Sequence, residues 1–506
     1  MDCIIGVDIG TTSTKAIAYT KTGSILSQHA INYPVYNPHP TYSEQDPEEI
    51  FQAVLSTIRY SWQLIKSDYN LKGISFSSPM HGIMPVDKDC RPLTNCIIWA
   101  DTRSKDIASR IKNGSDGKFI YQRTGTPIHP MAPLSKILWL KENMQDIFNS
   151  AYKFISFKEY VFYKLFGKFI IDYSIASSTG LFDIYDLKWN KTALKTAGIN
   201  AERLSLPVPT NHIEKLLDSP FLPNLGIESG APFIVGASDG CLANLGNNVI
   251  SKGKASITIG TSGAIRIASK QPIQDPKERI FNYLLTSDHY VAGGPVNNGG
   301  IVLQWFFENI IKNKLELNTS NDVNDYSADL EKASRISAGS DGLIFLPYIL
   351  GERAPHWNAE ARGVFFGLNI NHTKNHMLKA VLEGIIFGIY NIAEALESTN
   401  EEIEVIYANG GFAKSTSWVQ ILTDIFGKTV LVSESIESSA KGAAIMGMHA
   451  LGLIDKMDSP DLFQEKIKTF TPDQNKHELY KKYYRIFTSI YEKLRDEFEN
   501  LNNLLK

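Results

Sequence analysis

Cysteine is scarce in this chain: four among 506 residues, Cys3, Cys90, Cys96 and Cys241, irregularly spaced and without a CxxC pair. That excludes a disulfide framework and a thiolate zinc site, and it fits a reducing, cytoplasmic setting. Net charge is almost absent too. Lys and Arg number 51 against 54 Asp and Glu, a formal charge of -3, so nothing in the overall balance attracts nucleic acid or an anionic membrane, and neither is expected as a partner. Long apolar runs are missing: stretches such as 343–350 fall far short of the roughly 20 residues that cross a bilayer. The opening MDCIIGVDIG carries acids where a secretory leader carries a basic segment, so no leader is expected. Neither a GxxxxGK[ST] loop nor a GxGxxG turn between strand and helix occurs, which removes the P-loop and Rossmann readings.

What is present describes a globular α/β protein. The chain is 43% hydrophobic and 21% charged, and its length calls for two large domains. Residues 3–7 form an apolar run that ends at Asp8 and the bend Gly10-Thr11-Thr12, and a second strand-like run continues to Thr20. Asp46-Pro47-Glu48-Glu49 then joins a cap, a proline and first-turn acids ahead of apolar positions at helical spacing, Ile50, Phe51, Val54, Leu55, Ile58 and Ile65; this spacing predicts an amphipathic helix. Residues 74–77 predict a strand. From Ser256 the opening returns: ITIGTSGAIRIA repeats the apolar run, the Gly-Thr-Ser bend and the outgoing strand of IIGVDIGTTSTKAIA. A repeat this far apart predicts two similar domains, 1–247 and 248–506, each supplying one polar hairpin to a shared cleft. Further helices are expected over 301–311, 376–396, 415–426 and 440–451, with strands at 405–408 and 429–432. The tail 477–506 reads as a surface helix on the second domain.

Several segments carry chemistry. A Gly-Thr-Thr bend lets backbone N–H groups and hydroxyls approach phosphates closely. Asp8 beside it is placed to orient a magnesium ion through water, since magnesium prefers oxygen ligands and keeps much of its hydration; Lys15 adds positive charge. One such bend reads equally well as an ordinary capped turn, but the second copy at Gly260-Thr261-Ser262 favours a nucleotide. In IVGASDGCLANLG, Asp239 follows an apolar run among small residues, where a carboxylate can accept a hydroxyl proton in phosphoryl transfer. Its plainer reading is a cap on the next helix. Met80-His81-Gly82 and Trp99-Ala100-Asp101-Thr102-Arg103 supply the mixture of hydrogen-bonding groups and apolar faces that binds sugars, although His81 and Trp99 in isolation read as satisfied core residues. Asn409-Gly410-Gly411 ends a strand ahead of a Ser-capped helix and offers flat backbone to adenine and ribose.

Together these segments resemble the FGGY carbohydrate kinases, over nearly the whole chain up to about Gly452. MAPLSKILWLKEN, from Met131 to Asn143, matches that family's N-terminal signature, and GVFFGL from Gly363, continuing through His376 to Glu383, matches its C-terminal one. The resemblance implies two ribonuclease-H-like domains of the actin-like ATPase superfamily facing an interdomain cleft, with ATP and Mg2+ as cofactors. It implies Asp239 as catalytic base and as a neighbour of the metal, Asp8 as the other carboxylate at the metal, and nucleotide contacts from Thr11, Thr12, Lys15, Gly260, Thr261, Gly300, Gln304, Gly410, Gly411 and Ser415. Position 415 is Asn in some relatives and Ser here. Met80 and His81 match a sugar-contacting pair, and Trp99, Asp101 and Arg103 match a Trp-x-Asp-x-Arg substrate segment. LPYILGERAPHWNAEARGVFFGL and CIIWADTRS look closest to the gluconate-phosphorylating branch, with Arg103, His81 and Lys136 as candidate cations for the sugar-acid carboxylate; Arg103 reads alternatively as a structural partner of Asp101. A xylulose, other ketose or polyol kinase is the alternative within the family, and a nucleotide-switched actin-like protein the alternative outside it. A homodimer is the family-level expectation.

Overall fold

The opening run forms the strand Asp2–Ile9, which turns at Gly10-Thr11-Thr12 into the antiparallel strand Ser13–Thr20. In this computed structural model all residues are described except 218, 312–325, 400, 434–436, 460, 461, 463–465, 505 and 506. The predicted helix is Pro47–Gln63: the Asp46 carboxylate accepts from the N–H groups of Glu48 and Glu49 at 2.7 and 3.3 Å, Pro47 needs no partner in the first turn, and Ile50, Phe51, Val54, Leu55 and Ile58 are buried.

Two compact units are present. The first comprises Met1–Ile250, Ala268–Ala292 and Glu437–Gln464; the second comprises Ser251–Ile267, Gly293–Ile436 and Glu465–Lys506. The boundary read from the sequence is drawn along the chain, whereas these units are drawn in space, and two later segments join the first unit. The hairpin strand Phe281–Thr286 reaches it through Leu284 N–H, which donates to Ser177 Oγ at 3.0 Å, and Asn282 N–H, which donates to the Gly125 carbonyl at 2.7 Å. The helix Ser438–Ala450 lies against the strand Asp2–Ile9 and the helix Asp239–Gly246 through small residues, with Ala440, Ala443 and Ala444 all buried.

The first unit holds a six-stranded sheet in the order Ile213–Leu216, Ala231–Ser238, Asn70–Ser78, Asp2–Ile9, Ser13–Thr20, Ile25–Asn32. Its three inner strands Ala231–Ser238, Asn70–Ser78 and Asp2–Ile9 are mutually parallel, and the outer pairs are antiparallel. The second unit repeats the plan. The strand Gly253–Ile259 turns at Gly260-Thr261-Ser262 into the antiparallel strand Gly263–Ser269 and runs parallel to Ile403–Asn409, which in turn is parallel to Thr429–Ser433. The duplicated hairpin seen in the letters is therefore a duplicated strand–bend–strand core.

The other predicted elements are observed as the helices Lys374–Glu397, Thr416–Phe426 and Ser438–Ala450 and the strands Ile403–Asn409 and Thr429–Ser433. The helix expected over 301–311 differs: regular α-helix spans Gly300–Phe306, and Phe307–Ile311 widens into a π-helical turn. The tail is one helix, Gln474–Leu504, bound to the second unit by Tyr480 Oη on Glu383 at 2.8 Å and Tyr484 Oη on Glu394 at 3.0 Å; the last two residues of the predicted tail helix lie outside the described ones. All four cysteines are buried thiols outside any disulfide. Lys374–Glu397 is long and apolar enough to cross a membrane by length and composition, but 78% of its apolar window is buried inside the protein, which accounts for its composition.

Candidate functional site

In the first unit the carboxyl ends of three parallel strands bring the chemistry together, as open α/β sheets do. The register sets Asp8 beside Ser77 and Ser77 beside Ala237, so one row crosses three strands and Asp239 follows two residues later, as the first residue of Asp239–Gly246. Ser238, not Asp239, occupies that helix's cap position. The side chain of Asp239 accepts from Gly240 N–H at 2.7 Å. A bulge in Ala231–Ser238 aims this turn. Gly236 has φ +69°, and a Cβ there would stand 1.8 Å from the Phe76 carbonyl oxygen. Gly236→Ala is therefore expected to lower stability by at least about 2 kcal/mol and to reduce turnover with it; a denaturation midpoint equal to that of the unaltered protein would contradict this.

Ser77 Oγ donates to Asp8 Oδ1 at 2.7 Å. Burial pushes the Asp8 carboxyl up to about 6; Ser77 and Lys15 oppose the rise, while the nearby charges of Asp239 and Glu437 add to it. A desolvated carboxylate repelled by two others is a site that a divalent cation relieves. Among the described residues no group of three or more His, Cys, Asp or Glu is gathered as metal ligands. The donor set thus suits magnesium held mainly through water and phosphate oxygens, and does not suit a metal caged by protein.

Lys15 Nζ donates to both oxygens of Glu437, at 2.7 and 3.0 Å. The first bend is held from several sides: Trp99 Nε1 donates to Thr11 Oγ1 at 3.0 Å, Gln45 Nε2 to the Thr11 carbonyl at 2.7 Å, and Tyr33 Oη to the Gly10 carbonyl at 2.7 Å. Thr12 is exposed. The segment 99–103 thereby touches the bend through Trp99.

Met80 is half-buried against the core. His81 is buried with φ +69°. Its Nδ1 donates to the Ser178 carbonyl at 2.8 Å, so in the neutral ring Nε2 is an acceptor, and Tyr283 Oη lies 3.4 Å from it. Arg103 is already engaged. Its Nε donates to Asp101 at 2.9 Å, its Nη2 donates to Asp101 at 2.8 Å and to Glu44 at 2.5 Å, and the guanidinium carbon stands 3.5 Å from the Tyr42 ring centroid. Asp101 also accepts from Ser43 N–H at 2.8 Å. The structural partnership is the one observed for this pair. Lys136 is fully buried and donates to the carbonyls of His81, Ile98 and Ile97 at 2.8, 2.7 and 3.3 Å; burial pulls its ammonium down to about 7. It ties the His81 backbone to that of Ile97 and Ile98.

The second unit packs a helix start and a neighbouring strand end onto its bend. Gly300 N–H donates to the Gly260 carbonyl at 2.7 Å and Ile301 N–H to the Thr261 carbonyl at 3.1 Å, which sets the start of Gly300–Phe306 on the bend. Gly410, at φ +95°, approaches from the next strand so closely that a Cβ would stand 2.5 Å from the Ile259 carbonyl oxygen. Thr258 Oγ1 donates to Asn409 Oδ1 at 2.6 Å, the counterpart of the Ser77–Asp8 bond. Gly411 opens a short turn, and Ser415 caps Thr416–Phe426 by accepting from Trp418 N–H at 3.3 Å. Gln304 lies one turn into its helix, its amide on Glu308 at 2.8 Å. Gly260, Thr261, Gly300 and Gly410 thus come together at one glycine-lined bend.

Glu437, Gln45, Tyr33 and Tyr283 were not among the sequence candidates. Lys15 and Glu437 are 422 positions apart, and Tyr283 and His81 are 202 apart; no local spacing signals such pairs.

The chain is thus a two-unit α/β protein built on duplicated strand–bend–strand cores, one ending in carboxylates and the other in a glycine-lined bend. The chain belongs to the FGGY family of carbohydrate kinases: residues 3–246 match the family's N-terminal domain and residues 255–451 its C-terminal domain. It is an enzyme with the family's two-domain, ribonuclease-H-like fold, and it uses ATP with Mg2+ as the usual metal. A gluconokinase of Bacillus subtilis is 44% identical over 500 residues, covering 98% of this chain and 97% of its own. A gluconate kinase structure from Lactobacillus acidophilus superposes with a TM-score of 0.92 at 35% identity, covering 99% of each chain. A ligand-bound xylulose kinase structure from the same organism also gives 0.92 at 35%, covering 99% of this chain and 100% of that one.

Proposed function

We propose that this kinase transfers the γ-phosphoryl group of ATP to the 6-hydroxyl of D-gluconate, giving 6-phospho-D-gluconate. The observation that carries the reading is the row Asp8, Ser77, Ala237 at the strand ends with Asp239 just beyond it. The similarity to gluconate-acting relatives over almost the full length supports the substrate. Asp239 accepts the hydroxyl proton as the new O–P bond forms and the bond from phosphorus to ADP breaks, the bond electrons leaving with ADP. Bound Mg2+ neutralises phosphate charge; Asp8 and Asp239 would hold it, through water. Thr11, Thr12 and Lys15 in the first unit and Gly260, Thr261, Gly300, Gln304, Gly410, Gly411 and Ser415 in the second are the proposed nucleotide contacts.

Met80, His81 and Trp99 are the proposed sugar contacts, with Asp101 and Arg103 shaping the segment. Arg103 is shared by two carboxylates and Lys136 by three carbonyls, and His81 is the group proposed to meet the gluconate carboxylate. Residues 1–247 serve mainly the sugar and 248–506 mainly ATP. A cytoplasmic homodimer completes the proposal; the buried thiols support the reducing compartment.

A coupled ADP-release assay over a sugar panel tests the substrate. D-gluconate is expected to exceed D-xylulose and glycerol by at least about a hundredfold in kcat/KM, because a site built for polar groups rejects analogues that leave them unpaired. The xylulose kinase structure at equal TM-score supports the second reading, and xylulose turnover with gluconate inert would establish it. ATP hydrolysis indifferent to every sugar would favour a nucleotide-switched protein.

A further inference from the structure

The backbone on which Asp239 stands is gripped at three consecutive residues by side chains from three different helices. Lys158, from Phe157–Phe166, donates to the Ala237 carbonyl at 2.9 Å. Ser174, from Tyr173–Ser177, accepts from Ser238 N–H at 3.1 Å and donates to Ser238 Oγ at 2.9 Å. Ser439, from Ser438–Ala450, donates to the Asp239 carbonyl at 3.2 Å. The antiparallel neighbour Ile213–Leu216 pairs with residues 231–234, and Val235 N–H donates to the His212 carbonyl at 3.0 Å; at residues 237–239 it is these side chains that hold the backbone.

Lys158 is the costly member. It is 2% exposed and ion-paired at 2.7 Å with Asp172, itself 1% exposed; Ser174 and Ser238 are fully buried. Buried ion pairs return little net stability, and apolar residues of the same volume often serve as well. The pair's distinguishing feature is where its ammonium points: to the carbonyl two residues before Asp239. Burial lowers the Lys158 ammonium, and the charges of Asp172 and Asp239 oppose that, as expected of a cation retained for its place between them.

We infer that Lys158, held by Asp172 and seconded by Ser174, is a positioning residue that fixes the Asp239 carboxylate where it can take the proton of the substrate hydroxyl. The inference rests on the reading of Asp239 as the base. Misplacement of a reacting group by about 1 Å can cost about a hundredfold in rate.

The test uses the full-length enzyme with saturating ATP, Mg2+ and gluconate. Lys158→Met alone would strand the Asp172 charge and unfold the region, so the informative variant is K158M/D172N, which removes both charges together. Its kcat is expected to fall about 10- to 100-fold, with KM for both substrates within about twofold and the melting midpoint near that of the unaltered enzyme. Ser174→Ala, a milder change that folds independently of the ion pair, is expected to lower kcat about tenfold at unchanged KM. Unchanged kcat in folded K158M/D172N overturns the inference, as does kcat falling only in step with KM and the melting midpoint. Should K158M/D172N fail to fold, S174A decides: unchanged kcat overturns the inference and a selective kcat loss upholds it. Asp239→Asn, assayed alongside, separates the two readings. If it retains full turnover the base assignment fails; if it is inactive while K158M/D172N and S174A are unimpaired, only the positioning role fails. Adding S174A to D239N is expected to produce no further loss.

Discussion

Asp239→Asn is expected to lower kcat by about a thousandfold or more while leaving ATP affinity within about threefold, since general-base removal typically costs 10²–10⁴ in rate. Asn keeps the size of the side chain and one acceptor oxygen for Gly240 N–H, so the contact at 2.7 Å survives and the turn above the Gly236 bulge is undisturbed. What is lost is the ability to take a proton. Stopped assays for turnover, with nucleotide titrations by calorimetry, check both halves. A thousandfold fall in kcat accompanied by equal weakening of ATP would point to a structural or metal-holding role in place of base chemistry.

Asp8→Asn is expected to separate stability from activity in opposite directions. The folded carboxyl titrates at about 6 against an ordinary value of 3.8. Between those values the folded state holds a proton that the unfolded state has released, so its contribution to stability is present below pH 4 and lost as pH rises through 6. Asn carries no such penalty. In the absence of Mg2+ and nucleotide the variant is therefore expected to be more stable at pH 7.5, by up to roughly 3 kcal/mol at 1.36 kcal/mol per pH unit, and equal to the unaltered protein near pH 4. In the assay the Mg2+ concentration for half-maximal rate should rise about 10- to 100-fold, the usual cost of losing an outer partner of a metal. Denaturation at the two pH values and a Mg2+ titration of rate measure these. A variant destabilised at pH 7.5 would show that Asp8 is held by favourable contacts and not as a desolvated charge awaiting a cation.

The parts legible in the sequence are those whose physics is local. Asp46-Pro47 announces its helix because a cap and a proline act within one turn. Gly10-Thr11-Thr12 and Gly260-Thr261-Ser262 announce their bends because glycine and hydroxyl residues between two apolar runs have few other uses, and the second copy converts a turn into a duplicated domain. The helix Lys374–Glu397 is legible as a helical stretch over 376–396, whereas the strand Gly363–Phe366 falls in a family signature that matches residues without naming an element. Arg103 was harder: a guanidinium two residues from an aspartate fits either a ligand or a brace, and Glu44 and Tyr42, which occupy it, lie about sixty positions earlier. Glu437 on Lys15 and Tyr283 beside His81 depend on segments that return to the first unit late in the chain, and no pattern in the letters encodes that return. Lys158 and Asp172 are not among the sequence candidates; only their burial and the Lys158 bond to the Ala237 carbonyl reveal them beside the Asp239 turn.

The most direct measurement is the identity of the product when the purified enzyme is given ATP, Mg2+ and D-gluconate, read by phosphorus–proton correlation in NMR. The account expects one phosphate ester, on the C6 oxygen, forming in equal amount with ADP and vanishing in Asp239→Asn. An ester on any other oxygen, ADP without an ester, or the same ester at full rate in Asp239→Asn would contradict it.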